Sequence, residues 1–546
     1  MINTSRLTSF NSSTCKRALR KKRMTKAATM AKVSVRGGFN LLWGLVASTV
    51  ISSLGTIFTA NLLGDTNYGL YTIALAAPNL ISTFRDWGVT VAMVKYTAQY
   101  NAEDKAANIR SIFSGGIFFE TVLGLVLSAV AFLLSGFLAS LYSLPNIAPL
   151  IQIASFTILT TALLSTAQAT FVGMEKMELN SIVLIVQAII KTTVVPLLVI
   201  FGLGPLGAVI GFTIAALVAG VTAVLLMWWL YKNLPKPADN TLEIGATVKT
   251  MFSYGLPLSI ATIIATFQTQ FYSFILPIFV APDLIGNYGV ATTFVVLIAF
   301  FATPVSTMLF PAFSKLDPQK DHETLKNVFQ FSIKYASLLV VPVAAIVMAL
   351  AKPGVSILFP NFSAAPLFLA LLAINYLYVV FGNLSISNLI NAQGQTKFNL
   401  KLSLITFGIG FPLSIVLISR FGILGLIITT LTASIPSIIV ALRWLKKQYD
   451  LTVNWASSVK ILLSGCTASA ITYALVTRLA FSNLIALVAG AIVFLFIFLI
   501  AIILTGAITR SDISTIRETM TLLGPLQRLT NFVLNIIEKL MTKLRP

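Results

Sequence analysis

Glu120 and Lys191 are the two ionisable side chains set well inside long apolar runs, and the pair Arg85-Asp86 closes a third such run. A charge at bilayer depth costs about 2.5–3.5 kcal/mol on insertion scales, so each of these groups needs a cavity or a partner. Counting about 1.5 Å per residue from Ile112 and Leu179, Glu120 lies roughly 12 Å deep and Lys191 roughly 18 Å deep, an offset that two long side chains can span. They read either as a structural pair or as groups with a substrate or proton role. Arg85 stands 17 residues, about 25 Å of helix, from Tyr68, which puts its guanidinium and the neighbouring Asp86 carboxylate at the end of a membrane crossing.

The elements that must hold these groups are apolar helices. The chain of 546 residues is 57% hydrophobic and 10% charged, with a mean hydropathy of +0.90, against roughly 25% charged residues in a soluble domain. The expected fold is therefore all-α and polytopic. Windows of about 20 residues predict fourteen transmembrane helices near 38–60, 68–87, 112–138, 147–170, 179–202, 206–231, 254–280, 287–311, 331–351, 365–389, 398–419, 422–445, 459–479 and 482–507.

The net charge of +21 follows this layout rather than a nucleic-acid surface. With a cytoplasmic N-terminus the basic residues collect in alternate loops and the tails, while the other loops hold only Lys352, Arg420 and Arg478. That asymmetry sets the expected orientation, with both termini cytoplasmic. Residues 1–37 carry ten basic residues and no acid, and read as a disordered cytoplasmic tail that marks the inner side, with anionic lipid as an alternative partner. The run after Gly38 is too long for a cleaved signal. At the other end, 508–546 reads as amphipathic helix broken at Gly524-Pro525 and lying on the inner leaflet. Cys15, Cys466 and the lone His322 offer neither a disulfide framework nor a zinc-type metal site, and no cofactor is expected.

Landmarks recur. Gly69 and Gly286 are 217 residues apart and open similar stretches, Gly173 and Gly394 are 221 apart, and Phe201-Gly202 precedes Phe421-Gly422 by 220. Helices one to six therefore match seven to twelve as parallel repeats, with thirteen and fourteen as an added pair. The expected divisions are an N-lobe at 38–231, a linker at 232–253, a C-lobe at 254–446 and the added pair at 447–507. Two such lobes suit a transporter that opens alternately to either side. Helix seven, with Pro257, Pro277, Gln268 and Gln270, is the expected functional bend.

At LLGDTNYGLY, FRDWGVTVAMVKYTAQY, FVGMEKMEL, YGLPLS, IGNYGVAT, LFPAFSKL, NAQGQTKFNLKLSL, FGILGLIITTLTAS and LTGAITRSDISTI the chain resembles the polysaccharide biosynthesis family. These are the O-antigen flippase-like proteins of the multidrug/oligosaccharidyl-lipid/polysaccharide exporter superfamily. The resemblance implies a polyprenyl phosphate- or diphosphate-linked saccharide moved from the cytoplasmic to the outer leaflet of the plasma membrane, with glycosyltransferases or polymerases of the same pathway as partners beside the membrane lipids. On that reading Arg85 grips the headgroup, with Asp86 holding it when the site is empty. Asn61, Gln268, Gln270 and Tyr272 serve the saccharide. Tyr272 also stands where many relatives are expected to carry an acid in helix seven, which removes that group from any ion coupling. A drug or cation antiporter of the same superfamily would want several cavity acids, and only Glu120 is deep. A membrane glycosyltransferase or polymerase would want clustered outer acids, whereas Asp65 and Asp283 are isolated.

Overall fold

A computed structural model describes residues 7–235, 244–478, 482–520, 534–535, 538–539 and 541–542, with side chains from Leu41 onward except at 515–516 and 518–520. Among the described residues every regular element is helical. The α-helices run α1 (Leu7–Ser82), α2 (Val89–Ala102), α3 (Ala106–Leu133), α4 (Ser135–Leu141), α5 (Ala148–Gly173), α6 (Met177–Leu198) and α7 (Gly204–Asn233). They continue as α8 (Ile244–Phe279), α9 (Pro282–Ser314), α10 (His322–Ala349), α11 (Ala351–Leu358), α12 (Ala365–Ala373), α13 (Asn383–Ala392), α14 (Thr396–Tyr449), α15 (Trp455–Arg478), α16 (Asn483–Leu504) and α17 (Arg510–Met520). In a bilayer only such self-satisfied backbones are tolerated, and the leucine-, valine- and isoleucine-rich runs favour them.

The span count differs from fourteen. Ten described helices are long and apolar enough to cross a membrane, or eleven if the bent pair Ala365–Phe381 and Asn383–Ala392 is one span. Three of the ten, Leu41–Ser82, Met177–Asn233 and Thr396–Tyr449, are 42, 57 and 54 residues long, each enough for two crossings of about 20 residues. Each is interrupted by a glycine with non-helical angles: Gly64 (φ 73°), Gly202 (φ 86°) and Gly422 (φ 56°). Helical hydrogen bonding continues past those breaks, so the expected turns appear as kinks. The basic tail also differs from the irregular segment expected, since α1 begins at Leu7. The expected break at Gly524-Pro525 lies outside the described residues.

The chain forms two compact units. Unit 1 comprises 1–56, 84–136 and 149–259. Its core sets Ile109, Phe113, Phe171 and Val183 against Ala219, Ala223 and Met227, with a second cluster of Val89, Met93, Ile112 and Met251. Small residues bring its helices close: Gly44 packs on Ser181, Gly55 on Thr192 and Gly124 on Ala162.

Unit 2 comprises 57–83, 137–148 and 260–546. One core cluster joins Phe313, Phe329, Ile333, Leu389 and Leu445, and another joins Ile298, Val340, Val341, Ile461 and Ile502. Gly69 and Gly286 lie together in this unit: a Cβ on Gly69 would stand 1.8 Å from the Pro282 carbonyl oxygen, and one on Gly286 3.0 Å from the Gly69 nitrogen. Asn287 Oδ1 accepts from the Ala364 and Ala365 amides at 2.9 and 3.0 Å and so satisfies the start of α12.

Candidate functional site

In unit 1 the turn after α1 decides where Arg85 goes. Asp86 does not hold Arg85 as the sequence suggests. Its carboxylate accepts from the Gly88 amide at 2.9 Å, the Thr90 amide at 3.3 Å and the Thr90 hydroxyl, capping α2. Gly88 has φ 88° and abuts Gly255, whose carbonyl oxygen would lie 2.2 Å from an added Cβ. Only glycine combines that backbone with that approach.

The capped turn sends the Arg85 side chain into the bundle. Its Nη1 donates to Glu120 Oε2 and its Nη2 to Ser165 Oγ at 3.0 Å. Ser165 in turn donates to the Thr161 carbonyl at 2.7 Å, which orients its lone pairs toward the guanidinium. The ion pair is sealed, with side-chain exposures of 8% for Arg85 and 0% for Glu120. Arg85 is therefore an interior residue rather than one on an open rim. Arg85 Nε and Glu120 Oε1 have no hydrogen-bond partner among the described residues, so the pair keeps one donor and one acceptor to offer.

Lys191 does not meet Glu120. Its Nζ lies 5.4 Å from the Phe212 ring centroid, a cation–π distance, and no carboxylate pairs with it among the described residues. The helical rise gave a workable depth offset but carries no azimuth, and Arg85 takes the carboxylate. Ser165 carried no signal in sequence, being one hydroxyl among many in an apolar helix.

Unit 2 gathers the amides. Gln268 Nε2 donates to Tyr272 Oη at 2.5 Å and to the Thr406 carbonyl at 3.3 Å. Gly410 makes room for this, since a Cβ there would stand 2.3 Å from Gln268 Nε2 and 2.4 Å from Tyr272 Oη. Phe267, Phe271, Phe407 and Phe411 stack alongside, with centroids 4.5 Å apart for Phe271 and Phe411. Gln268 lines a cavity of about 240 Å³ with Asn383, Asn399 and Thr406, and Gln270 lines an adjoining hollow of about 430 Å³. Asn61 is a tie rather than a cavity residue: its Nδ2 donates to the Ile57 carbonyl at 3.0 Å and to the Leu358 carbonyl at 2.6 Å, closing the end of α11. Among the described residues no group of His, Cys, Asp or Glu could hold a metal ion.

Comparison with known proteins gives three kinds of likeness. A family model described as polysaccharide biosynthesis protein matches residues 34–317. The lipopolysaccharide biosynthesis protein WzxC of Escherichia coli (strain K12) is 23% identical over 407 residues, covering 73% of this chain and 78% of that one. In fold, the chain resembles the lipid II flippase MurJ in an inward closed conformation, with a TM-score of 0.64 and 16% identity over 84% of this chain and 97% of that one. It also resembles an inward-facing multidrug resistance MATE family transporter, with a TM-score of 0.59 and 14% identity over 74% and 94%.

Proposed function

Because the chain belongs to the polysaccharide biosynthesis protein family, we propose that this multi-pass membrane flippase carries a polyprenyl phosphate- or diphosphate-linked oligosaccharide from the cytoplasmic to the outer leaflet by alternating access, for cell-surface glycan synthesis. Fourteen crossings in two parallel repeats, with both termini cytoplasmic, complete the reading; the lengths of the three glycine-broken helices support the number. Glycosyltransferases or polymerases of the same pathway are its proposed partners.

One observation carries the choice of an anionic lipid-linked cargo. Unit 1 holds two cations within its spans or at their ends, Arg85 and Lys191, against one deep acid, Glu120, and that acid is bound to Arg85 while Lys191 lies over Phe212. The surplus is positive, which suits a phosphate or diphosphate. The drug-transporter fold fits a cation antiporter equally well as a fold, yet a cationic drug would need a free carboxylate, and Glu120 is not free. Reconstituting the protein in vesicles and measuring how quickly a polyprenyl-diphosphate-linked disaccharide becomes accessible in the opposite leaflet tests the proposal. Transfer no faster than in protein-free vesicles would refute it.

A further inference from the structure

The cavity in unit 2 carries no charge on its walls. Gln268 from α8, Asn383 and Ser387 from α13, and Asn399, Ser403 and Thr406 from α14 line it, and its remaining lining residues are apolar side chains or serines. The adjoining hollow, which shares Asn399 and Ser403, adds Gln270, threonines and alanines. The volumes of about 240 and 430 Å³ fall near the lower end of the roughly 300–1,000 Å³ of small-ligand sites. Lys397 and Lys401 flank Asn399 along α14 but neither lines either hollow.

The hydrogen-bonding capacity of these walls is largely unspent. The side chains of Gln270, Asn383, Ser387 and Asn399 have no hydrogen-bond partner among the described residues, whereas Ser403 and Thr406 donate back to the Asn399 and Leu402 carbonyls and keep their oxygen lone pairs. Amides present a donor and an acceptor side by side, and these hydroxyls present acceptors. A sugar ring offers hydroxyls that both donate and accept. A metal cation would want carboxylates or a cage of oxygens, and an apolar drug would want an aromatic wall, which this lining lacks.

We infer that this cavity binds a neutral sugar unit of the cargo and selects against sugars that carry a carboxylate. The inference rests on the flippase reading for the identity of the cargo. A uronate entering these walls would bring an anion to amides and hydroxyls with no cation to pair it, and that desolvation is not repaid. A neutral hexosamine loses nothing comparable.

The test separates binding from flipping. In a Cys15→Ser/Cys466→Ser background, exposed Ser387 is replaced by cysteine, and the rate of its labelling by a hydrophilic maleimide is measured on the full chain in nanodiscs. A neutral N-acetylhexosamine disaccharide is expected to slow labelling at concentrations at least about tenfold below those needed for a disaccharide ending in a uronate, the ratio that one uncompensated charge of modest burial implies. Adding Ser403→Lys is expected to close or invert that ratio. Equal protection by both sugars, or protection by neither, overturns the inference. Vesicle transfer of the lipid-linked forms is read separately: selective protection without transfer refutes the flippase reading and leaves the sugar site standing.

Discussion

Arg85, in the turn after α1, and Glu120 of α3, 35 residues apart, meet in a buried ion pair that Ser165 completes from α5. Glu120→Leu would leave the guanidinium sealed without its counter-charge, and Arg85→Met would leave the carboxylate so. Each single change is expected to cost about 3–5 kcal/mol, whereas Arg85→Met/Glu120→Leu together should recover most of it. A double-mutant cycle read by thermal unfolding in detergent gives the coupling. The same cycle between Glu120 and Lys191→Met is expected to give less than about 0.5 kcal/mol, and a large value there would restore the pairing that the sequence suggested.

Among the described residues Lys191 has no carboxylate partner to lose. Lys191→Met is therefore expected to leave stability unchanged or raised, while transfer of a diphosphate-linked probe in vesicles falls by about tenfold, the worth of one charge-assisted contact. Unchanged transfer would remove Lys191 from the cargo path.

Close backbone approach makes some glycines irreplaceable and others expendable. Gly69→Ala would drive a methyl into the Pro282 carbonyl, and Gly88→Ala would combine strain at φ 88° with a clash on Gly255; both are expected to destabilise by more than about 1 kcal/mol. Gly408→Ala meets nothing within 4 Å inside α14, and should stabilise by about 0.5–1 kcal/mol. Melting temperatures of the three variants decide this, and a neutral Gly69→Ala would show that the packing around Pro282 gives way.

Asp512 gives a pH signature outside the spans. Burial pushes its carboxyl upward, but hydrogen bonds from Lys334 Nζ at 2.5 Å and from the Thr509 amide and hydroxyl, each at 2.7 Å, outweigh that and hold it below the usual carboxylate range. A depressed folded value means that the contribution is present above the unfolded pKa of about 3.9 and is lost as pH falls through the folded value. Asp512→Asn is expected to lower stability at neutral pH by about 1.5–3 kcal/mol and to flatten the acid limb of the unfolding curve. An identical acid limb in both proteins would mean that other carboxylates set it.

The sequence carried the helical membrane architecture plainly, because a continuous apolar run has few other solutions in lipid. Its landmark glycines proved structurally telling. Gly202 and Gly422, matched by spacing, are both non-helical breaks, and Gly69 and Gly286 lie against each other. Partner choice was not legible. Rise along a helix is fixed per residue, but which face meets which neighbour depends on packing, and a three-bond cap by Asp86 turned Arg85 inward toward Glu120. Three long helices run through glycine breaks at Gly64, Gly202 and Gly422, because each permits a kink without ending the helical hydrogen bonding. Gln268, Gln270 and Tyr272 stood out as polar residues in an apolar run, but Asn399, Ser403 and Gly410, which build the surrounding walls, had no signal beyond their residue type.

The most direct measurement compares two cargoes in the same vesicles: the leaflet transfer of a polyprenyl-diphosphate-linked neutral disaccharide and the uptake of a cationic dye. An oligosaccharide-lipid flippase should accelerate the first and leave the second at the protein-free rate. Dye uptake with no glycolipid transfer would contradict the proposed function and make the chain a cation transporter.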